Sequence, residues 1–231
     1  MTCWQLAIET SARVGSIALF ADGQLDRQIE LPATERTAAS LSVAMDALLC
    51  VVRDAGGQLD LISVTDGPGS FTGLRIGVTA AKTLAYAVNC KLTAVDTLAV
   101  IGQQCLDASP EIEFLQIGMK AYRGQIFTRT LDRNQPDIAE TTVMEGTAWS
   151  HFVERLPHHW GLGGDAAGLK ELKISSKIFL VDPQYWHPQA QTVGLLGAIQ
   201  ADKGHFVEPL ALMPRYLRPS AAEEKSLPST S

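Results

Sequence analysis

The stretch best equipped for chemistry runs Asp66-Gly67-Pro68-Gly69-Ser70-Phe71-Thr72-Gly73-Leu74-Arg75-Ile76-Gly77. A glycine-rich loop leads straight into a helical pattern. Backbone N–H groups at such a junction can cradle an anion, with the helix dipole adding to the attraction. Ser70 or Thr72 can equally cap the helix, as in any tight strand-to-helix turn. No Gly-Lys-Ser/Thr closes the loop, so it is not a Walker A loop. A second stretch, Glu9-Thr10-Ser11, ends the first strand-like run. Thr10 and Ser11 offer hydroxyl and backbone donors, and Glu9 or Asp66 could hold magnesium or act as a base. Ordinary turn chemistry accounts for the same residues. The candidate nucleotide or anion contacts are therefore Glu9, Thr10, Ser11, Asp66, Gly69, Ser70 and Thr72.

Other chemistries find no pattern to stand on. The histidines His151, His158, His159, His187 and His205 form neither H-x-x-x-H nor H-E-x-x-H, so no metal site is expected. No Gly-x-Ser-x-Gly elbow appears. Cys3, Cys50, Cys90 and Cys105 show no C-x-x-C pairing, which reads as reduced, buried thiols in a cytosolic protein. The N-terminal residues lack a basic start, and no run approaches the roughly 20 apolar residues of a membrane span. A cytoplasmic chain without signal peptide or anchor is expected. A net charge of −6 draws no polyanion over long range, though a local basic patch is compatible with it.

These residues must be positioned by strands and helices that the patterning outlines. Trp4–Ile8, Gly15–Phe20 and Gln24–Leu31 read as a β-meander with a tight turn at Asp22-Gly23. Helical spacing follows from Ala39 to Arg53 and stops at Gly56-Gly57. Then come a strand Leu59–Thr65, a helix Thr72–Val88, a strand Leu92–Val95, and a helix capped by Asp96 or Thr97 that reaches Leu106. A similar order starts again. Phe114–Met119, Gly124–Leu131 and Ile138–Met144 read as strands, and Thr147–Arg155 as a helix. A short strand near Trp160, a glycine loop from Gly161 to Asp165 and a short helix follow. A strand Ile178–Val181 and a helix Ala190–Lys203 complete the order.

Two β-β-β-α-β-α units predict an α/β chain of two ribonuclease-H-like lobes, the actin, sugar-kinase and Hsp70 class. Each lobe would be a mixed sheet with flanking helices. The expected division is 1–108, 109–218 and a polar, frayed tail 219–231. A single doubly wound sheet fits less well, because three consecutive strands joined by tight turns are not parallel. In the two-lobed class the turn at Glu9-Thr10-Ser11 faces the phosphates of a bound nucleotide.

Gly73, Gly77, Ala81 and Ala85 recur every four residues and form one stripe of small side chains along the second helix. Each glycine inside a helix costs about 1 kcal/mol relative to alanine. Close approach of another backbone, within the same fold or from another chain, would account for the stripe.

The run Gly67 to Gly77 resembles the hallmark of the TsaB (YeaZ) family. Leu6 to Ser11, Ala121 with Arg123 to Phe127, Gly161 to Ala166, and Pro214 to Arg218 with Ala222-Glu223 resemble further family segments in the right order. The resemblance implies the actin-like fold and a non-catalytic subunit without intrinsic cofactor. ATP or ADP could sit at the cleft or in the assembled complex. The implied partners are a TsaD-type catalytic subunit, a TsaE-type ATPase and a second copy of the chain. The implied substrate of the complex is tRNA, which receives a threonylcarbamoyl group on the adenosine beside the anticodon. Interfaces of that family use the first two helices, which implies interface roles for Leu41, Met45, Leu48, Gly73, Ile76, Gly77, Ala80, Ala81, Leu84 and Ala85.

The resemblance breaks at three places. Thr37-Ala38 stands where a histidine-serine pair is usual, Leu41-Ser42-Val43 replaces Leu-Leu-Pro, and Lys120-Ala121-Tyr122 replaces Asp-Ala-Arg. An independent phosphotransferase or ATPase built on Glu9, Asp66 and the glycine loop is the competing expectation. It predicts magnesium-dependent ATP turnover that is lost in Asp66→Ala.

Overall fold

The computed structural model describes residues 2–32, 37–135 and 139–217. Its first half contains β1 (Trp4–Glu9), β2 (Gly15–Ala21), β3 (Gln24–Leu31), α1 (Thr37–Asp54), β4 (Leu59–Gly67), α2 (Phe71–Val88), β5 (Lys91–Asp96) and α3 (Thr97–Ala108). The second contains β6 (Phe114–Lys120), β7 (Gln125–Asp132), β8 (Thr142–Glu145), α4 (Gly146–Glu154), β9 (Gly161–Gly163), β10 (Phe179–Leu180) and α5 (Ala190–Asp202).

The first sheet has the order β3-β2-β1-β4-β5, and the second β10-β9-β6-β7-β8. In each, the opening three strands pair antiparallel, and the first of them then pairs parallel with a later strand. Traced from their own first strands the two sheets have the same topology. This is the ribonuclease-H-like lobe, present twice in the actin-like arrangement.

Leu6, Ile8, Ile17 and Leu19 point from one face of the first sheet and pack on Leu41, Leu48 and Val52 of α1 and Val78 of α2. The opposite face presents small side chains, Ala7, Ala18, Ser63 and Thr93, and receives a helix from the far end of the chain. That helix is α5, which lays Ala190, Val193 and Gly194 against Ala7, Ala18 and Phe20. Gln5 Nε2 fastens it by donating to the Gly194 carbonyl at 2.8 Å. In exchange α3, which follows the last strand of the first sheet, packs Leu98, Ile101 and Cys105 on Leu115 and Ile117 of the second. Division at 108/109 thus separates the strands of the two sheets but not their helices. On the other face of the second sheet sits Trp149 of α4, whose Nε1 donates to Thr128 Oγ1 at 3.0 Å.

Two expectations need correction. Gly161-Leu162-Gly163 is not a loop after a strand near Trp160; it is the strand itself, pairing parallel with β6. Its glycines leave room for neighbours, since a Cβ on Gly161 would lie 2.7 Å from the Ile112 side chain. The cysteines are all free, but only Cys105 is buried, while Cys3 is exposed. Burial pushes the Cys105 thiol up to about 12 and the Cys90 thiol up to about 11. Residue 138 of the third expected strand in the second half, Arg218 of the C-terminal signature and the tail 219–231 lie outside the described residues. No described helix is long and apolar enough to cross a membrane.

Candidate functional site

The first turn and the glycine loop meet and are sewn together. Thr10, itself buried, donates from Oγ1 to the Gly73 carbonyl oxygen at 2.8 Å. The Ser70 amide donates to the Ser11 carbonyl at 2.7 Å. Ser70 Oγ accepts from the Gly73 amide at 3.2 Å and caps α2. Gly69 lies so close to Ser11 that a Cβ there would come within 2.6 Å of it.

Beneath this seam Glu9 is fully buried. Its Oε1 accepts from the Ser11 amide at 2.5 Å, the Ser11 hydroxyl at 2.6 Å and the Ala12 amide at 3.2 Å. Burial pushes its pKa above the usual carboxylate range, with the Ser11 hydroxyl and neighbouring donors pulling it back in part. Of the seven expected contacts, Glu9, Thr10, Ser11, Gly69 and Ser70 come together. Thr72 stands exposed on the first turn of α2, and Asp66 lines a different cavity.

That second cavity, about 240 Å³, holds a charged clasp that sequence reasoning missed. Arg215 Nη2 reaches Asp96 Oδ2 at 2.6 Å, the Gly67 carbonyl at 3.0 Å and Asp66 Oδ1 at 3.2 Å. The Arg215 amide donates to the Asp66 carbonyl at 2.7 Å. Gly67 takes φ 136°, and a Cβ there would come 2.6 Å from the Arg215 carbonyl oxygen, so glycine is needed on both counts. From the second sheet, Arg129 Nη1 approaches Asp96 Oδ1 at 3.6 Å. Asp96 Oδ1 also caps α3 by accepting from the Ala99 amide at 2.8 Å. Burial pushes Asp66 up to about 6, against the pull of Arg215. Arg215 had been visible only as part of the C-terminal signature, and Asp96 only as a cap.

Between the lobes lies a cleft of about 820 Å³, reached by Ser11, Gly69 and Ser70 from one side and by Lys120, Tyr122 and Trp186 from the other. At its edge Phe71 and Tyr216 stack with ring centres 4.6 Å apart. The Arg75 guanidinium lies 4.0 Å over the Phe71 ring and donates from Nε to the Tyr216 hydroxyl at 3.1 Å. Among the described residues no three His, Cys, Asp or Glu side chains gather as a metal-ligand set.

The small-residue stripe answers to the fold. A Cβ on Gly73 would strike the Thr10 carbonyl oxygen, and one on Gly77 the Thr10 hydroxyl. Ala81 and Ala85 are buried in the first core. Gly73, Gly77, Ala81 and Ala85 thus face the fold, as does Leu48 at 0% exposed, while Leu41, 2% exposed, also lines the groove between the two helices. The outward side of the same helices is different. Met45, Ile76, Ala80 and Leu84 are half-buried and line an apolar groove of about 660 Å³ between α1 and α2, with Ala38 and Ser42 at its rim. Val43, one of the departures from the family pattern, is 72% exposed.

A family model described as "TsaD: tRNA N6-adenosine threonylcarbamoyltransferase" matches residues 33–136. The chain is 26% identical to the tRNA threonylcarbamoyladenosine biosynthesis protein TsaB of Escherichia coli strain K12, over 95% of this chain and 96% of that one. It is 26% identical to the protein of the same name from Bacillus subtilis strain 168, over 97% and 98%. Among solved structures it matches YeaZ from Pseudomonas aeruginosa with a TM-score of 0.75 at 23% identity, covering 93% of this chain and 99% of that one. The chain is thus similar, nearly end to end, to two proteins named TsaB. Another Pseudomonas aeruginosa structure, of a protein with similarity to peptidase YEAZ, matches with a TM-score of 0.77 at 22% identity, covering 94% and 100%. Those two likenesses bear on the fold alone, and they agree with its paired lobes.

Proposed function

We propose that this chain is a non-catalytic subunit of the bacterial assembly that attaches a threonylcarbamoyl group to the adenosine beside the tRNA anticodon. In this reading it binds and supports a TsaD-type catalytic subunit in the cytoplasm. One observation carries its place in tRNA threonylcarbamoyladenosine biosynthesis: near end-to-end similarity to two proteins named for that process.

The non-catalytic part is supported by what the candidate phosphate contacts are already doing. Thr10 Oγ1, the Ser70 amide and Glu9 Oε1 make hydrogen bonds inside the fold. A triphosphate or its magnesium would have to break these bonds, so the residues do not fit a nucleotide cradle. Asp66, the alternative base, is held by Arg215 away from the cleft. Hence we infer no intrinsic nucleotide cofactor and no independent ATPase.

Docking is supported by the α1–α2 groove. Its wall of Met45, Ile76, Ala80 and Leu84 is apolar and open to solvent, which suits the centre of an interface rimmed by polar groups. The catalytic subunit would occupy it in the assembly, and a second copy of the chain in its absence. A TsaE-type ATPase joins the pair, and tRNA is the substrate of the whole.

Titration calorimetry with the TsaD-type subunit of the same organism tests this. Tight association, abolished by Ala80→Asp and by Leu84→Asp, is expected. No association at micromolar concentrations, or association untouched by both substitutions, would overturn the docking reading.

A further inference from the structure

The cleft between the lobes is not absorbed by this account, and its chemistry is specific. Arg13, Arg75, Lys120 and Arg215 line it, opposed by a single carboxylate, Asp165. That carboxylate already accepts the Lys120 backbone N–H at 2.7 Å. Arg215 is turned to Asp66 and Asp96, and Arg75 to Phe71 and Tyr216. Arg13 and Lys120 remain exposed, and neither has an ion-pair partner among the described residues. A cationic cleft in a chain of net charge −6 is a local feature that selects anions at close range.

The rest of the lining is mostly small or apolar and includes the rings of Tyr122, Phe127, Trp186 and Tyr216. Cations at the rim and rings within favour a planar base with phosphate attached. The cleft's 820 Å³ lies in the range, about 300–1,000 Å³, that holds small organic groups. A free nucleoside triphosphate needs a backbone cradle for its phosphates, and three of the donors nearest the cleft, Thr10 Oγ1 and the Ser11 and Ser70 amides, are committed to the fold. A nucleotide within a strand needs only separated cations for the phosphates on either side. Lys120 is also where the family resemblance breaks, putting a positive charge at the mouth where an acidic residue would repel phosphate.

We propose that this cleft takes an unpaired nucleotide of an RNA strand, its base among Tyr122, Trp186 and Tyr216 and its flanking phosphates on Arg13 and Lys120. The choice of RNA over a free nucleotide rests on the proposed place in tRNA modification.

The test is fluorescence anisotropy of the full chain with a labelled RNA hairpin carrying an unpaired loop. A blunt RNA duplex of equal charge, AMP and magnesium-ATP serve as competitors. The hairpin should bind at least about tenfold more tightly than the duplex, because only unpaired bases can stack on side chains. Arg13→Glu and Lys120→Glu should each weaken binding about tenfold and lower the salt slope by about one. Tyr122→Ala should weaken it about tenfold by loss of stacking. Melting temperatures should not move, since all three side chains are exposed. Equal binding of hairpin and duplex, variants that bind like the wild type, or displacement of the hairpin by micromolar magnesium-ATP would overturn the proposal. A chain that ignores the hairpin yet is required in a reconstituted modification reaction overturns this inference alone. One that binds the hairpin yet is dispensable there overturns the subunit reading alone.

Discussion

Thr10 and Gly73 lie 63 residues apart in sequence, and the Thr10 hydroxyl donates to the Gly73 carbonyl oxygen at 2.8 Å. This bond locks the end of β1 to the first turn of α2. It also explains why glycine stands at Gly73 and Gly77, where the Thr10 carbonyl and hydroxyl occupy the space of a Cβ. Alanine at either position would gain about 1 kcal/mol of helix propensity but overpack the seam. Gly73→Ala and Gly77→Ala should each destabilise the chain by about 1–3 kcal/mol net. Exposed Thr79→Ala on the same helix should be nearly neutral. Chemical denaturation of the three variants checks this.

The groove and the core behind it should respond oppositely to substitution. Leu48 is fully buried, so Leu48→Ala should cost about 2–5 kcal/mol of stability. Ala80→Asp and Leu84→Asp should leave the melting temperature within a few degrees of wild type. They should weaken association with a TsaD-type subunit at least about a hundredfold, by placing an unpaired charge in an apolar contact. Melting curves paired with calorimetric titrations separate the two effects.

Asp66 gives stability a defined pH dependence. Its folded pKa, about 6, lies above the unfolded value of 3.8, because burial disfavours the charged form. The folded state then holds a proton that the unfolded state has lost, so stability falls as pH rises from about 4 to about 6 and levels off above. Glu9 shifts in the same direction. Subtracting the curve of Asp66→Asn isolates the Asp66 share, expected to be on the order of 1–3 kcal/mol across that window. Thermal melts from pH 4 to 8 measure it.

The Arg215 clasp makes a further prediction. Arg215→Met would leave Asp66 and Asp96 close together without their main counter-charge. The variant should lose about 2–4 kcal/mol at pH 7.5 and recover part of it near pH 5, where Asp66 is protonated. Equilibrium denaturation at the two pH values checks the recovery, which a purely packing defect would not show.

Local patterning made much of the fold legible. β3 is the expected Gln24–Leu31 run, and the meander's turn falls at Asp22-Gly23, both at positive φ. The α1 and α2 bounds differ by one or two residues at their starts, where Thr37 and Phe71 extend the helices past the periodic stretch. What local patterning could not convey was which sheet a helix covers. The small side chains of α5 fit the small-residue face of the first sheet, but nothing nearby in sequence says so. For the same reason local sequence does not say what lies against Gly73 and Gly77 on α2: their neighbour, Thr10, is distant in sequence. The glycines of β9 looked like a loop because the crowding by Ile112 that requires them is a tertiary fact. At the site, Glu9, Thr10, Ser11, Gly69 and Ser70 were found by type and position. Arg215 and Lys120 were visible only as motif members, because an arginine or lysine acquires a role from what folds beside it.

The most direct test of the account is reconstitution of the modification reaction with one component left out at a time. It would contain the TsaD-type subunit and its other partners, threonine, bicarbonate, ATP and unmodified tRNA. The account predicts loss of threonylcarbamoyladenosine when this chain is omitted, restoration by wild type and Glu9→Gln but not by Ala80→Asp, and no product from this chain alone. Full product without the chain would contradict it.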